Sequence, residues 1–452
     1  MYGIDSRAKS HHKFPSGLQL AALAEFLSDR EIETICRQLG HTWRNRIFPP
    51  GTTVRSLVYR SLHPKRSIGS ILADLVADTD WCASPPAAAS WCEARDRLPE
   101  AIWGRLLGRS VRRLVELAGA CGTYAGRPVY LIDGSTVSMP DESELVRAFG
   151  YADTKHGPSR FPVARVTFMV RAGAEAVCDY RLGPYRQSED AQLHAMWEGI
   201  PDGAICVFDR FFSSFYNLAK LRQRGIDVVS PLHQRRDPAR LVRNGRKVGP
   251  NEWIVTFRLW PQLRRQYHDP SLPKSLPVRL IRVPVPRSRR HKQLWLVTTL
   301  LDPQQHCRAR IVNLYRGRWR METRIGSLKT TLQMNVLRSR TLKGLRHEVA
   351  ATIVAHNLLW AVIHQAAAKT KTPPARISFA AAITAVLAFS GPLRNSDSTE
   401  RRRVYHRMLD CIGRQVNPWR PGRIEPRLIK RDRRRYGYLK VPRDKARKEG
   451  LS

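Results

Sequence analysis

The sequence predicts an α/β protein: a mixed sheet with helices on its faces, an all-β insertion, a helical N-terminal region, and a helical, basic C-terminal region. Three observations carry this. From about residue 125 to 230, short apolar runs of strand character alternate with helical stretches. Between roughly 235 and 300 the helical stretches give way to alternating strands rich in Arg and Pro. Before 120 and after 342, apolar residues recur at helical spacing. The predicted division is a helical domain at 1–120, a core at 121–366 with its β insertion at about 232–300, and a C-terminal region at 367–452.

Taken in order, Ser28-x-x-Glu31 predicts a capping box ahead of Ile32, Ile35 and Leu39. Periodic stretches follow at Val54–Leu62, Ile68–Leu75 and Ala101–Leu117, with arginines 44, 46, 55, 60, 105, 109, 112 and 113 expected at outer positions. These helices read as a solvated cap or, more pointedly, as a DNA-end-binding domain. Val129–Ile132 is a short strand ending in Asp133-Gly134-Ser135, and a small helix covers Glu142–Phe149. Pro162–Arg171 and Ala176–Leu182 are neighbouring strands, and Gln187–Glu198 is a helix. Ala204–Phe208 is a buried strand ending in Asp209. A helix capped by Ser213 and closed by Gly225 leads to a strand at Ile226–Ser230. In the insertion, the alternation of Val278–Val285 slips phase at Leu280-Ile281, which predicts a bulge. Asn313–Leu332, Leu342–Gln365 and Ile377–Phe389 are helices, and Arg420–Lys448 is a basic, Pro-broken arm with Tyr436 and Tyr438 among its arginines.

Composition narrows the function. Lys and Arg number 78 against 38 Asp and Glu, a formal net charge of +40. Such a charge disfavours a compact state unless a polyanion is near, and nucleic acid is the leading partner. No apolar run is long enough to span a bilayer, and the N-terminus has no secretory pattern. Eight cysteines lie scattered without C-x-x-C pairs, which argues against zinc and for reduced thiols in the cytoplasm.

The stretch Asn313–Leu332 has an unusual charge layout. At about 100° per residue, Tyr315, Arg318, Glu322 and Lys329 fall within an arc of about 60°. Met321, Ile325 and Leu328 form an apolar stripe beside them. One acid lined up among cations suits a metal ion next to a phosphate. Asp133 and Asp209 each end an apolar strand, where ligands of α/β sheets bind. Alone, each has a plainer role: Asp133-Gly134 as a turn, Asp209 as a helix cap. With Glu322 they make three carboxylates from separate elements, which need a cation to sit together. Two Mg²⁺ or Mn²⁺ ions would serve, and could activate an attacking oxygen at a phosphodiester. Arg318, Lys329 and Tyr315 would then hold DNA phosphates. Trp253, Trp260, Trp295 and Trp319 could stack on an extruded base, though tryptophan is more often core. Glu189 reads as a capping acid or an accessory acid, and His194 as a surface residue or a proton-transfer group.

The pattern Tyr315-x-x-Arg318-x-x-x-Glu322-x-x-x-x-x-x-Lys329 resembles the Y-(2)-R-(3)-E-(6)-K signature of bacterial DDE transposases of the insertion-sequence-four family. Leu131-Ile132-Asp133-Gly134-Ser135 and Val207-Phe208-Asp209-Arg210-Phe211-Phe212 are similar to that family's first and second acid motifs. The resemblance covers roughly 125–360, and a Pro-Arg-x-x-Lys-Arg segment at 426–431 is also similar. It implies an RNase H-like core with Asp133, Asp209 and Glu322 as ligands of two metal ions. It implies cut-and-paste transposition of an insertion sequence by a homodimer acting on double-stranded DNA, both terminal repeats and target, in a bacterial cytoplasm. It further implies that Tyr315, Arg318 and Lys329 contact the element end. Two alternatives stay open: an RNase H-like nuclease that cuts without joining, and a non-catalytic transposase-derived DNA-binding protein.

Overall fold

The structure is a computed structural model of the chain and describes residues 23, 27–44, 46–77, 86–154, 157–284 and 293–418. The arm at 420–448, with its 426–431 segment, lies outside the described residues.

The N-terminal helices are α1 (Asp29–Gln38), α2 (Pro50–Leu62), α3 (Ile68–Ala77), α4 (Ala88–Arg97) and α5 (Ala101–Ala118). Ser28 stands at the N-cap of α1, but its side chain makes no capping bond. The expected box is replaced by ion pairs: Asp29 with Arg55, and Glu31 with Arg109. Arg55 and Arg60, expected outside, are buried at 5% and 6% exposure. Every residue of α2 is buried, because it lies between α1 and the long helix α13 (Leu342–Thr370).

The sheet begins with β1 (Thr123–Tyr124) and β2 (Arg127–Ser138). Helix α6 (Ser143–Phe149), then β3 (Tyr151–Thr154), β4 (Gly157–Arg171), β5 (Ala176–Pro184) and α7 (Glu189–His194) follow. Next come β6 (Ile205–Val207), α8 (Phe215–Gln223) and β7 (Asp227–Pro231). Ser214, not Ser213, caps α8, accepting a bond from the Asn217 N–H at 3.1 Å. Gly225 closes it with φ +68°, a conformation open to glycine.

The strand order β5–β4–β2–β6–β7 is antiparallel across the first three and parallel across the last two, the RNase H-like arrangement. Both faces of this sheet are covered. Leu131, Val207 and Val229 enter one core, with α5 and α13, while Ile132, Cys206 and Val228 enter the other, with α8.

The insertion corrects two expectations. It contains α9 (Pro238–Arg243), β8 (Arg246–Gly249), β9 (Glu252–Arg258), α10 (Pro261–Tyr267), β10 (Ser275–Pro284) and β11 (Gln293–Thr298). It is therefore not purely β, and its strands prolong the central sheet in the order β7–β11–β10–β9–β8. No bulge occurs at Leu280-Ile281: β10 pairs in unbroken register with β9 and β11. The phase slips because both faces are covered, Leu280 entering one core and Ile281 the other. Arg279, wholly buried between them, pairs with Glu252.

The predicted helix at 313–332 is three segments: α11 (Arg308–Arg316), α12 (Trp319–Gly326) and a π turn over Ser327–Thr331. At the junction, backbone bonds tighten to i→i−3, from Arg318 N–H to Tyr315 and from Met321 N–H to Arg318. Gly317 permits this, since a Cβ there would sit 2.9 Å from the Leu314 carbonyl oxygen. After α13 come α14 (Phe379–Asn395) and α15 (Ser398–Arg414), packed on each other and on α13. By length and apolar composition α13 would suffice to cross a membrane, but it is almost wholly buried as a core helix.

Candidate active site

Strand β2 does not end at Asp133, as the sequence suggested, but runs on to Ser138 paired with β4. Its parallel pairing with β6 does end, at Leu131 opposite Val207. Two residues beyond that last pair stand Asp133 and Asp209. Asp133 shares the face of Leu131 because strand side chains alternate, and Asp209, extended two residues past the end of β6, is near enough for its carboxylate to raise the Asp133 pKa. That face is the one α12 packs against.

Arg318 occupies the centre. Its Nη1 lies 3.5 Å from Asp133 Oδ2, and its Nη2 donates to Glu322 Oε1 at 3.0 Å. The Tyr315 ring centroid lies 5.8 Å from the guanidinium carbon. Burial opposes the guanidinium charge, yet Tyr315, Asp209 and Asp133 outweigh it and hold the pKa above its ordinary value. Lys329, carried by the π turn, donates from Nζ to Ser135 Oγ at 2.9 Å. So Asp133 and Ser135, successive residues on one face of β2, meet Arg318 and Lys329 of the helical stripe. Tyr315 is buried, which raises its phenol pKa, and burial lowers that of Lys329.

Asp133 is the most perturbed acid. Burial pushes its carboxyl up to about 6; Arg318 and the Gly134 N–H oppose this, and the Asp209 and Glu189 carboxylates add to it. Asp209 accepts a bond from the Arg210 N–H at 2.7 Å and caps the short turn Arg210–Phe212, so its plain structural role and its place in the cluster coexist. Among the described residues, no three His, Cys, Asp or Glu side chains stand close enough to hold one ion together. Arg318 explains this, since its guanidinium lies between the carboxylates of Asp133 and Glu322 and neutralises them. The donor set nevertheless fits a hard divalent cation. It is all oxygen, comes from three elements, and includes one carboxyl whose ionised form burial disfavours, which a bound cation would offset.

A fourth acid belongs to the neighbourhood. Glu189 lies against Gly134, where a Cβ would sit 2.8 Å from its Oε1, and accepts from Arg165 Nη1 at 2.6 Å. Ser188 supplies the cap bond of α7 and Glu189 stands in its first turn, where a capping acid is expected, so that plain role and its approach to Gly134 coexist. His194 is neither a surface residue nor joined to the acids. It bonds Asn217 at 2.9 Å and packs at 4.3 Å from the Trp197 ring. Trp253 and Trp295 are half-buried against each other, their centroids 5.6 Å apart, whereas Trp260 is 55% exposed, not core. The Trp319 side chain lies outside the described ones.

Helix α12 is anchored by a pair that no sequence pattern foretells. Arg324 Nε donates to Glu175 Oε2 at 2.5 Å, with both side chains about 5% exposed or less. The Arg324 guanidinium also stacks 4.1 Å from the Trp360 ring centroid on α13. Glu175 and Arg324 are 149 residues apart, and only the closed fold brings them together.

The family model described as "Transposase DDE domain" matches residues 124–358, just over half of the chain. "Putative transposase InsZ" of Escherichia coli (strain K12) is 35% identical over 103 residues, 23% of this chain and 34% of that protein. "Transposase InsG for insertion sequence element IS4" of the same organism is 23% identical over 433 residues, 94% of each chain. Among solved structures, the piggyBac transposase synaptic complex with hairpin DNA is similar at 11% identity and a TM-score of 0.43, over 91% of this chain and 86% of that one. The matched segment runs from the first strand through both aspartates, Arg318 and Glu322 and into α13, and the chain belongs to the DDE transposase family.

Proposed function

We propose that this transposase performs metal-dependent cut-and-paste transposition of an insertion sequence, as a homodimer on double-stranded DNA, with Asp133, Asp209 and Glu322 as the metal-holding acids. The supporting observation is that all three surround one guanidinium. The acids would hold two Mg²⁺ or Mn²⁺ ions, which when bound supply activation of the attacking oxygen and charge relief at the leaving oxygen. Everything else falls to the chain. Arg318, whose buried Nε has no hydrogen-bond partner, exchanges the carboxylates for a DNA phosphate. Lys329 and Tyr315 flank the same phosphate, as the Y-R-E-K spacing of the insertion-sequence-four family implies.

In the first step a water oxygen bonds to phosphorus at the element end and the P–O3′ bond breaks. The leaving 3′-oxygen takes up a proton to become a 3′-hydroxyl, in balance with the proton that the attacking water gives up, and the flanking strand keeps a 5′-phosphate. In the second, that hydroxyl's oxygen bonds to a target phosphorus and gives up its proton, while the target P–O3′ bond breaks and the displaced 3′-oxygen takes up a proton. Two ends must react in step, which requires two such sites and hence a dimer. The helical region at 1–120 contributes end binding around the core at 121–366, and the basic region at 367–452 grips further phosphates.

The test incubates the full chain with labelled duplexes bearing the inverted repeats that flank its gene, with and without Mg²⁺. Strand joining is expected. Cleavage without joining would leave a nuclease, and a mobility shift without any cleavage would leave a DNA-binding protein.

A further inference from the structure

Away from the acids, the loop joining α1 to α2 and the outer side of α4 enclose a cavity of about 700 Å³. Three guanidinium groups line it, Arg44, Arg46 and Arg97, against the single carboxylate of Glu93. Among the described residues Glu93 pairs with Arg97, at 3.6 Å and with both side chains well exposed, so it neutralises little. Arg44 and Arg46 are exposed and form no ion pair among the described residues. A bond of 2.8 Å from the Arg46 N–H to the Arg44 carbonyl keeps them in one tight turn. Beside them lie Ile47, 45% exposed, and Trp43, whose ring is stacked on His41 at 5.9 Å. The Arg37 guanidinium, paired with Glu33, lies 5.2 Å from the Trp43 centroid. His41 itself has a lowered pKa, first through burial and then through the charges of Arg97 and Lys343.

Unpaired cations around an aromatic wall fit one ligand chemistry. The cations take phosphate oxygens, and a base can take the place of the His41 ring now stacked on Trp43. The volume is that of a site for one small organic unit. We propose that this cavity holds one nucleotide of a DNA strand, with its phosphate on Arg44 and Arg46 and an unstacked base on Trp43, separately from the acid site. This rests on the protein's acting on DNA, and goes beyond that in assigning a base-accepting pocket to the N-terminal helices.

The experiment measures binding of the full chain to two fluorescent duplexes, one blunt and one with a three-nucleotide single-stranded overhang, over a range of salt. Arg44→Gln with Arg46→Gln is expected to weaken both and to flatten log affinity against log salt by about 0.9, for the one phosphate no longer neutralised. Trp43→Ala is expected to weaken overhang binding roughly tenfold or more and to leave the salt slope unchanged. Arg264→Gln with Arg265→Gln, on exposed α10, serves as the control and keeps the overhang preference. Unaltered affinity in the Arg44/Arg46 variant, or equal loss on both duplexes in a folded Trp43→Ala protein, overturns the proposal. Metal-dependent nicking at saturating DNA is read in parallel; its absence from the wild type would sink the catalytic reading and leave this one standing.

Discussion

Asp133 concentrates the residue-scale physics of this site. Its carboxyl is raised to about 6 from 3.8, so between those values the folded protein binds a proton that the unfolded chain does not. Stability from this group therefore falls as pH rises through that window and is lowest above about 6. Asp133→Asn removes the buried charge and should stabilise the protein by roughly 1–3 kcal/mol at pH 8, with the gain vanishing near pH 4. Urea unfolding at the two pH values checks it; an equal effect at both would mean the charge is not destabilising. The same variant, and Glu322→Gln, should keep DNA affinity within a few-fold and lose nicking, and either one cutting at the wild-type rate would remove that residue from the site. The sequence singles out Asp133, Asp209 and Glu322 because each stands out from an apolar or basic background. For Glu189 the sequence offers both a capping and an accessory role, since an acid at a helix start has a sufficient local explanation; its approach to Gly134 belongs to the packing of α7 on β4.

The element that matters most is α12, because its rotation decides where Glu322 points. Periodicity foretold that Tyr315, Arg318 and Glu322 share a side, and they do. It could not foretell the tightening at Gly317 or the π turn that presents Lys329 to Ser135, since both depend on what the backbone packs against. The anchor is the buried Arg324–Glu175 pair. Removing one partner leaves a charge buried without its counterpart, at a cost of about 3–5 kcal/mol. Glu175→Gln and Arg324→Met should each show that loss in urea unfolding, and the double variant much less than their sum. Losses that add to within about 0.5 kcal/mol would show that the two residues do not act as a pair.

Across the whole molecule, two bulk properties should be measurable. With a formal charge of +40, DNA affinity should fall steeply with salt, and an affinity that stays flat would contradict a phosphate-dominated interface. The long helix α13 carries His347 and His356, both wholly buried, with pKa values lowered by burial to about 4 and about 3. The unfolded chain takes up those protons below about 6.5 and the folded protein does not. Stability is therefore fully present above pH 6.5 and falls as pH drops toward 4, by roughly 3 kcal/mol per histidine. The slope is opposite in sign to that of Asp133. Thermal melts between pH 7 and 4.5 read the net result, and the replacement His347→Gln should flatten it.

By itself the sequence determined the alternation of strands and helices, the cationic character and the three acids, because periodicity, charge and residue type are local properties. Only the tertiary structure decided which acids share a face, that Arg318 stands between Asp133 and Glu322, that the insertion prolongs the central sheet, and that Glu175 fixes α12. Those facts depend on strand register and on contacts between residues as far as 149 positions apart, and no local pattern encodes either.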